Sequence, residues 1–145
     1  MTVYRRLLVV VDLTDDSLVI GRRAQTLANA IGAEMELLHV VEFVPVEPMG
    51  ETLMPSIQLE DELIERSRQQ LATLAGNLGV PLTAARVEVG NVKSEIVRVA
   101  KERNVDLIVL GSRERHGLSI LVNFTEDTVL HAAPCDVLAV RVGRL

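Results

Sequence analysis

The sequence predicts an α/β fold: one open, five-stranded, parallel, doubly wound sheet of the Rossmann-like kind, with four helices, in a single domain spanning residues 1–145. Three observations predict it. Short unbroken runs of aliphatic residues alternate with longer stretches of helical period, in the order β-α-β-α-β-α-β-α-β. The residues are 48% hydrophobic yet only 2% aromatic, so the core must be Val, Leu, Ile and Ala, the composition of strands covered on both faces. A chain of 145 residues fits a single domain and is long enough to bury a sizeable core of its own.

The elements follow in order. LLVVVDL (7–13) reads as a fully buried first strand, and Thr14 or Asp15 as the cap of the helix behind it. Ile20, Ala24, Leu27, Ala28 and Ile31 share one apolar face of that helix, which Gly32 stops. EMELLHVVEF (34–43) is the second strand, and the prolines and glycine of 45–55 mark a loop. Residues 59–79 form a long helix with Leu63, Leu71, Leu74 and Leu78 inward. LTAARVEVG (82–90) alternates enough to be a strand at or near a sheet edge. A short helix over 92–104 is capped by Asn91, VDLIVLG (105–111) is a fourth buried strand, a last helix falls within 121–133, and DVLAVRV (136–142) is the fifth strand. In such sheets ligands sit outside the carboxyl ends of the strands, where the strand order reverses. Those ends are Asp12 to Asp15, Val40 to Phe43, Gly90 to Val92 and Gly111 to Gly117.

Charge and motifs exclude several function classes. Fifteen basic against twenty acidic side chains give a net charge of −5, without the basic patch or aromatic platform of a nucleic-acid binder. No segment approaches the roughly 20 apolar residues of a membrane span. The N-terminal apolar run ends in acids, which reads as a strand rather than a secretory signal. A single cysteine, Cys135, leaves no internal disulfide and favours a reducing, cytoplasmic setting, with the thiol in a packing role. There is no GxxxxGK[ST] loop, no GxGxxG after the first strand and no GxSxG elbow. His39, His116 and His131 lack metal-site spacing, and His39 reads as a satisfied core residue. Neither an activated nucleophile nor a carboxylate pair is visible, so no catalysis and no metal are expected.

Three stretches carry a family resemblance: VVVDLTDDS after the first strand, VDLIVLGSRERHGL running from the fourth strand into its loop, and VLHAAPCDVLAVRV at the end. Together with LLHVVE they resemble the universal stress protein family across the whole chain. That resemblance implies a sheet of the adenine-nucleotide alpha-hydrolase-like type and a homodimer. It also implies a choice between two branches. One binds ATP through G-x2-G-x9-G-[S/T] in the loop after the fourth strand; the other, like universal stress protein A, lacks the signature.

This chain departs from the signature. Gly111 matches the first glycine and Arg113 a frequently basic or polar place, but the second glycine is Glu114. The last two positions fall on Phe124 and Thr125, or on Asn123 and Phe124 if one residue is deleted earlier. A carboxylate about 4 Å from a phosphate charge costs roughly 1 kcal/mol in water and about 4 kcal/mol at an intermediate dielectric. Phe124 would put a ring where a helix start should offer free N–H groups.

The expected function is therefore a stress-response homodimer acting through other protein partners, without a cofactor. Its interface would be the last strand, Val137, Leu138, Ala139, Val140, Arg141 and Val142, since a bare apolar edge tends to be paired. The alternative is a module that binds ATP with Mg2+ and acts as a weak, slow ATPase, using Asp12, the backbone near Val40, Gly111, Arg113 and Thr125. A third reading gives the Arg113, Arg115 and His116 cluster some other small anion.

Overall fold

The computed structural model describes residues 3–42, 53–113 and 129–142. In chain order these form β1 (Arg6–Val10), α1 (Asp16–Ile31), β2 (Glu34–Val41), α2 (Leu53–Leu78), a 3-10 turn (Leu82–Ala84), β3 (Ala85–Val89), α3 (Val92–Glu102), β4 (Leu107–Arg113) and β5 (Asp136–Val142). Residues 129–132 are helical as well, within the last predicted helix. Every pairing is parallel, and the strand order is β3-β2-β1-β4-β5. The chain winds from β1 outward to β3, then returns past β1 to β4, so the order reverses between β1 and β4.

Side chains alternate across each strand, and the alternation divides the core in two. On one face Leu7, Val9, Leu37, Leu107 and Val109 pack against Ile20, Ala24 and Ala28 of α1 and Leu71, Leu74 and Leu78 of α2. On the other, Leu8, Leu38, Val40, Ile108 and Leu110 meet Ile96, Val99 and Ala100 of α3 and Val129. Gly32 ends α1 at φ 72, a conformation in which a β-carbon would be strained. Asn91 caps α3 as expected, its side chain accepting from the Ser94 N–H at 3.0 Å.

Several sequence expectations are corrected. α2 starts at Leu53 rather than 59, so Leu53, Met54 and Pro55 leave the predicted loop. Pro55 is tolerated there because the first turn of a helix has no intrahelical use for its N–H groups. The rest of that loop, 45–52, lies outside the described residues, as do Phe43 and Val44. Leu63 is exposed, and buried Ser67 stands one turn before Leu71 in its place. With 26 residues α2 is about 39 Å long and outruns strands of five to eight residues, so the stripe near its start has no sheet beneath it. The third strand begins only at Ala85, behind its 3-10 turn.

The two edges of the sheet differ. β3 carries charge: Glu88 pairs with Arg98 at 3.1 Å, and Arg98 also holds Glu95 and Glu102 of its own helix. On β5 Leu138 and Ala139 are exposed, while Val140 and Val142 turn into the core.

The amino-terminal end of the sheet is closed by an ionic cluster. The buried Glu36 carboxylate accepts from Arg103 Nε at 2.9 Å and Nη2 at 3.2 Å. Arg6 Nε lies 3.2 Å from the same carboxylate but outside hydrogen-bonding geometry, so that contact is purely Coulombic. Arg6 also reaches the Arg103 carbonyl at 2.7 Å and Glu34 at 3.0 Å. Asp106 accepts from the backbone N–H groups of Arg5 and Arg6. Polar side chains at this end thus tie β1 to β2 and to the entry of β4.

Candidate functional site: the crevice at the switch point

The geometry of the crevice follows from strand alternation. Glu34 donates to the Arg5 carbonyl and Val11 to the Leu38 carbonyl, both at 2.9 Å. These bonds turn the odd-numbered peptide groups of β1 toward β2, and therefore its even-numbered ones toward β4. By the registers Val10↔Leu38 and Leu8↔Ile108, the peptide group of Val40 faces β1, and so do those of Val109 and Gly111. The β1–β4 ladder stops at Val9↔Val109, whereas β4 continues along β5 to Arg113↔Val142. A gap thus opens past the end of β1, with Val40 on one side and Gly111 on the other. Asp12 emerges into it.

The turn carrying Asp12 is tightly fastened. Asp12 Oδ1 accepts from the Thr14 N–H at 3.0 Å, the Thr14 hydroxyl at 2.7 Å and the Ser17 hydroxyl at 3.3 Å. The Ser17 N–H donates to the Thr14 carbonyl at 3.0 Å. The predicted cap is corrected accordingly: the side chain of Asp15 makes no capping bond, and Asp12 organises the helix start from farther upstream. Leu13, between them, has φ 63. A left-handed non-glycine residue costs on the order of 1 kcal/mol or more, so these bonds offset a local strain.

Electrostatically the described rim is acidic. Asp12, Asp15 and Glu42 are exposed and Asp16 is half-buried. The positive end of α1, where an anion could otherwise sit, already has Asp12 against it and Asp16 in its first turn.

The predicted site residues separate into two groups. Asp12, Val40 and Gly111 converge on the gap. The backbone of Arg113 ends β4, but its side chain and the residues Glu114, Asn123, Phe124 and Thr125 lie outside the described residues, as do Arg115 and His116. Gly111 has a structural reason of its own, which its sequence position did not disclose. A β-carbon built there would stand 2.5 Å from Ile20 Cδ1 and 3.4 Å from Val142 Cγ2. His39 was read as a satisfied core histidine, and its Nδ1 is 2.8 Å from the Val11 carbonyl. Among the described residues no group of three or more His, Cys, Asp or Glu side chains could hold a metal ion, and no helix is long and apolar enough to cross a membrane.

Cys135 is half-buried beside β5, packed against the α3-side core. Burial pushes its thiol up first, and the charges of Asp106 and Asp136 add to it, against a lowering hydrogen bond with the Ile108 backbone. A raised thiol stays neutral, so its contribution to folding is complete below the unfolded-state value and is lost as pH rises through the folded one. At pH 8 a thiol-disulfide reagent should modify the folded protein about tenfold more slowly than the urea-unfolded chain. Equal rates would show that the thiol is not protected.

An all-parallel sheet with a gap at its switch point, flanked by two outward-facing peptide groups and an anchored aspartate, defines a Rossmann-like α/β protein. The chain belongs to the universal stress protein family, whose family model matches residues 3–141. It is 34% identical over 138 residues to universal stress protein A homolog 1 of Coxiella burnetii, covering 94% of this chain and 96% of the relative. Among solved structures it is similar to universal stress protein UspA from Lactobacillus plantarum, with 26% identity, a TM-score of 0.69 and coverage of 95% and 98% of the two chains. It also shares its fold with a universal stress protein solved in complex with cAMP, with 22% identity, a TM-score of 0.59 and coverage of 94% and 96%.

Proposed function

We propose that this chain is a stress-response protein that works as a homodimer through protein partners, with a degenerate nucleotide loop and no catalysis of its own. The observation that carries this reading is the state of Asp12. Its carboxylate oxygen already accepts three hydrogen bonds, two from Thr14 and one from the Ser17 hydroxyl in the first turn of α1. Glu114 in place of the second motif glycine adds a further anion to the loop sequence. Gly111 is accounted for by the close approach of Ile20, so its presence does not argue for a bound nucleotide. The likeness to universal stress protein A homologs points the same way.

The dimer reading is supported by β5, whose exposed Leu138 and Ala139 suit pairing with a second copy. Beside Leu138 lies a groove of mixed character, lined by Leu27, Leu130 and Val137 together with the polar ends of Tyr4 and Asp136.

A second reading, binding of ATP with Mg2+ in the crevice, is favoured by one feature: the peptide groups of Val40 and Gly111 face the gap from both sides. The family member that holds cAMP makes a cyclic nucleotide the natural companion probe. Calorimetric titration with ATP plus magnesium, and separately with cAMP, should give no heat at millimolar ligand. Saturable heat with either nucleotide would overturn the leading reading. Sedimentation at micromolar concentration should show a dimer that Leu138→Glu converts to monomer, and a monomeric parent would remove the dimer from the proposal.

A further inference from the structure

We propose that His39 is a positioning residue, whose imidazole locks the turn that presents Asp12 at the switch point. The backbone ladder between β1 and β2 reaches the Val11 N–H, which donates to the Leu38 carbonyl at 2.9 Å. At the other end of the same residue, the Val11 carbonyl is held by a side chain, His39 Nδ1, at 2.8 Å. A carbonyl only accepts, so Nδ1 carries the proton here.

Leu13 lies between two clamps. Upstream, His39 fixes the peptide that joins Val11 to Asp12. Downstream, Asp12 Oδ1 gathers the Thr14 N–H and the Thr14 and Ser17 hydroxyls. A left-handed leucine persists only where its surroundings over-determine it, and one clamp alone leaves the other side of the strained residue able to rotate. The donor is the feature that matters. His39 shares a strand face with Leu37 and is half-buried, so any ring of similar size could serve as packing, but only a donor can hold the carbonyl.

His39→Phe keeps the ring and removes the donor. Amide hydrogen exchange on the full chain should show the Thr14 N–H opening about tenfold faster, while the Val9 amide in the middle of β1 exchanges as in the parent. Repeating the substitution in a Leu13→Gly background should shrink the effect at Thr14 to about twofold or less, because glycine adopts a positive φ without strain. Unchanged exchange at Thr14, or an effect of the same size in both backgrounds, would show that His39 only fills space. His39→Leu, which packs without a donor, gives the same reading if the phenylalanine ring prevents folding.

Discussion

Replacing Arg6 and Arg103 together by alanine is expected to lower folding stability by about 3 kcal/mol at neutral pH. Either replacement alone should cost clearly less, because the remaining arginine still faces Glu36. The difference comes from Glu36, whose side chain is only 7% exposed. With one arginine left it keeps a counter-charge; with both gone it is a buried carboxylate without a cation. The estimate sits at the low end for an uncompensated buried charge because the arginine side chains are 29% and 39% exposed, so water can follow them in. Adding Glu36→Met to the double variant should recover most of the loss, since an apolar side chain of similar size has no charge to strand. Urea unfolding at pH 7 of the four variants and the parent measures these losses. Additive losses with no recovery would mean that Glu36 reaches solvent without its partners.

Gly111→Ala is expected to cost about 1–3 kcal/mol through overpacking. The added methyl would meet Ile20 Cδ1, and Ile20 is almost fully buried, so its chain end can move only into occupied space. Ile20→Val removes that one atom and should cost about 0.5–1.5 kcal/mol alone. Combined with Gly111→Ala it should cost clearly less than the sum, because the two changes relieve each other. Thermal or urea unfolding of the four proteins gives the coupling directly. If the losses simply add, the clash is not the reason for the glycine. This cycle separates a packing requirement from a phosphate-loop requirement at a position where both call for the same residue.

The fold was readable because parallel sheets write themselves strongly in sequence. LLVVVDL and VDLIVLG are unbroken aliphatic runs, and only burial on both faces tolerates such runs. The alternation in LTAARVEVG placed that strand at or near an edge, where β3 stands, whereas the strand order itself came only from the structure. Boundaries were less legible: Val11 to Leu13 continue the apolar pattern of β1, yet the turn bonds of Asp12 and the left-handed Leu13 take the chain out of the sheet. Leu63 was misplaced because helical period gives the direction of a side chain and not the length of the sheet beneath it.

Of the site, the sequence disclosed position and little function. Asp12 and Gly111 stand where the pattern put them. The three bonds on Asp12 are local, reaching residues two and five positions on, the kind of turn an Asp-x-Thr stretch can announce. The contact between Gly111 and Ile20 has no sequence signature, because it joins elements that meet only after folding. The charge cluster at Glu36 was missed for the same reason, since the two acids that open EMELLHVV look like the ordinary polar start of an apolar run.

The unequal edges of the sheet also limit how copies can stack. A strand-like surface at both ends would let molecules add head to tail without limit, the geometry of a fibre. Here one end carries Arg86, Glu88 and Arg98, and an incoming strand would have to strip water from those charges before it could bond. Among the described residues the β3 edge is the guarded one, so a second copy pairing along β5 as proposed would leave the charged edges of both copies facing outward.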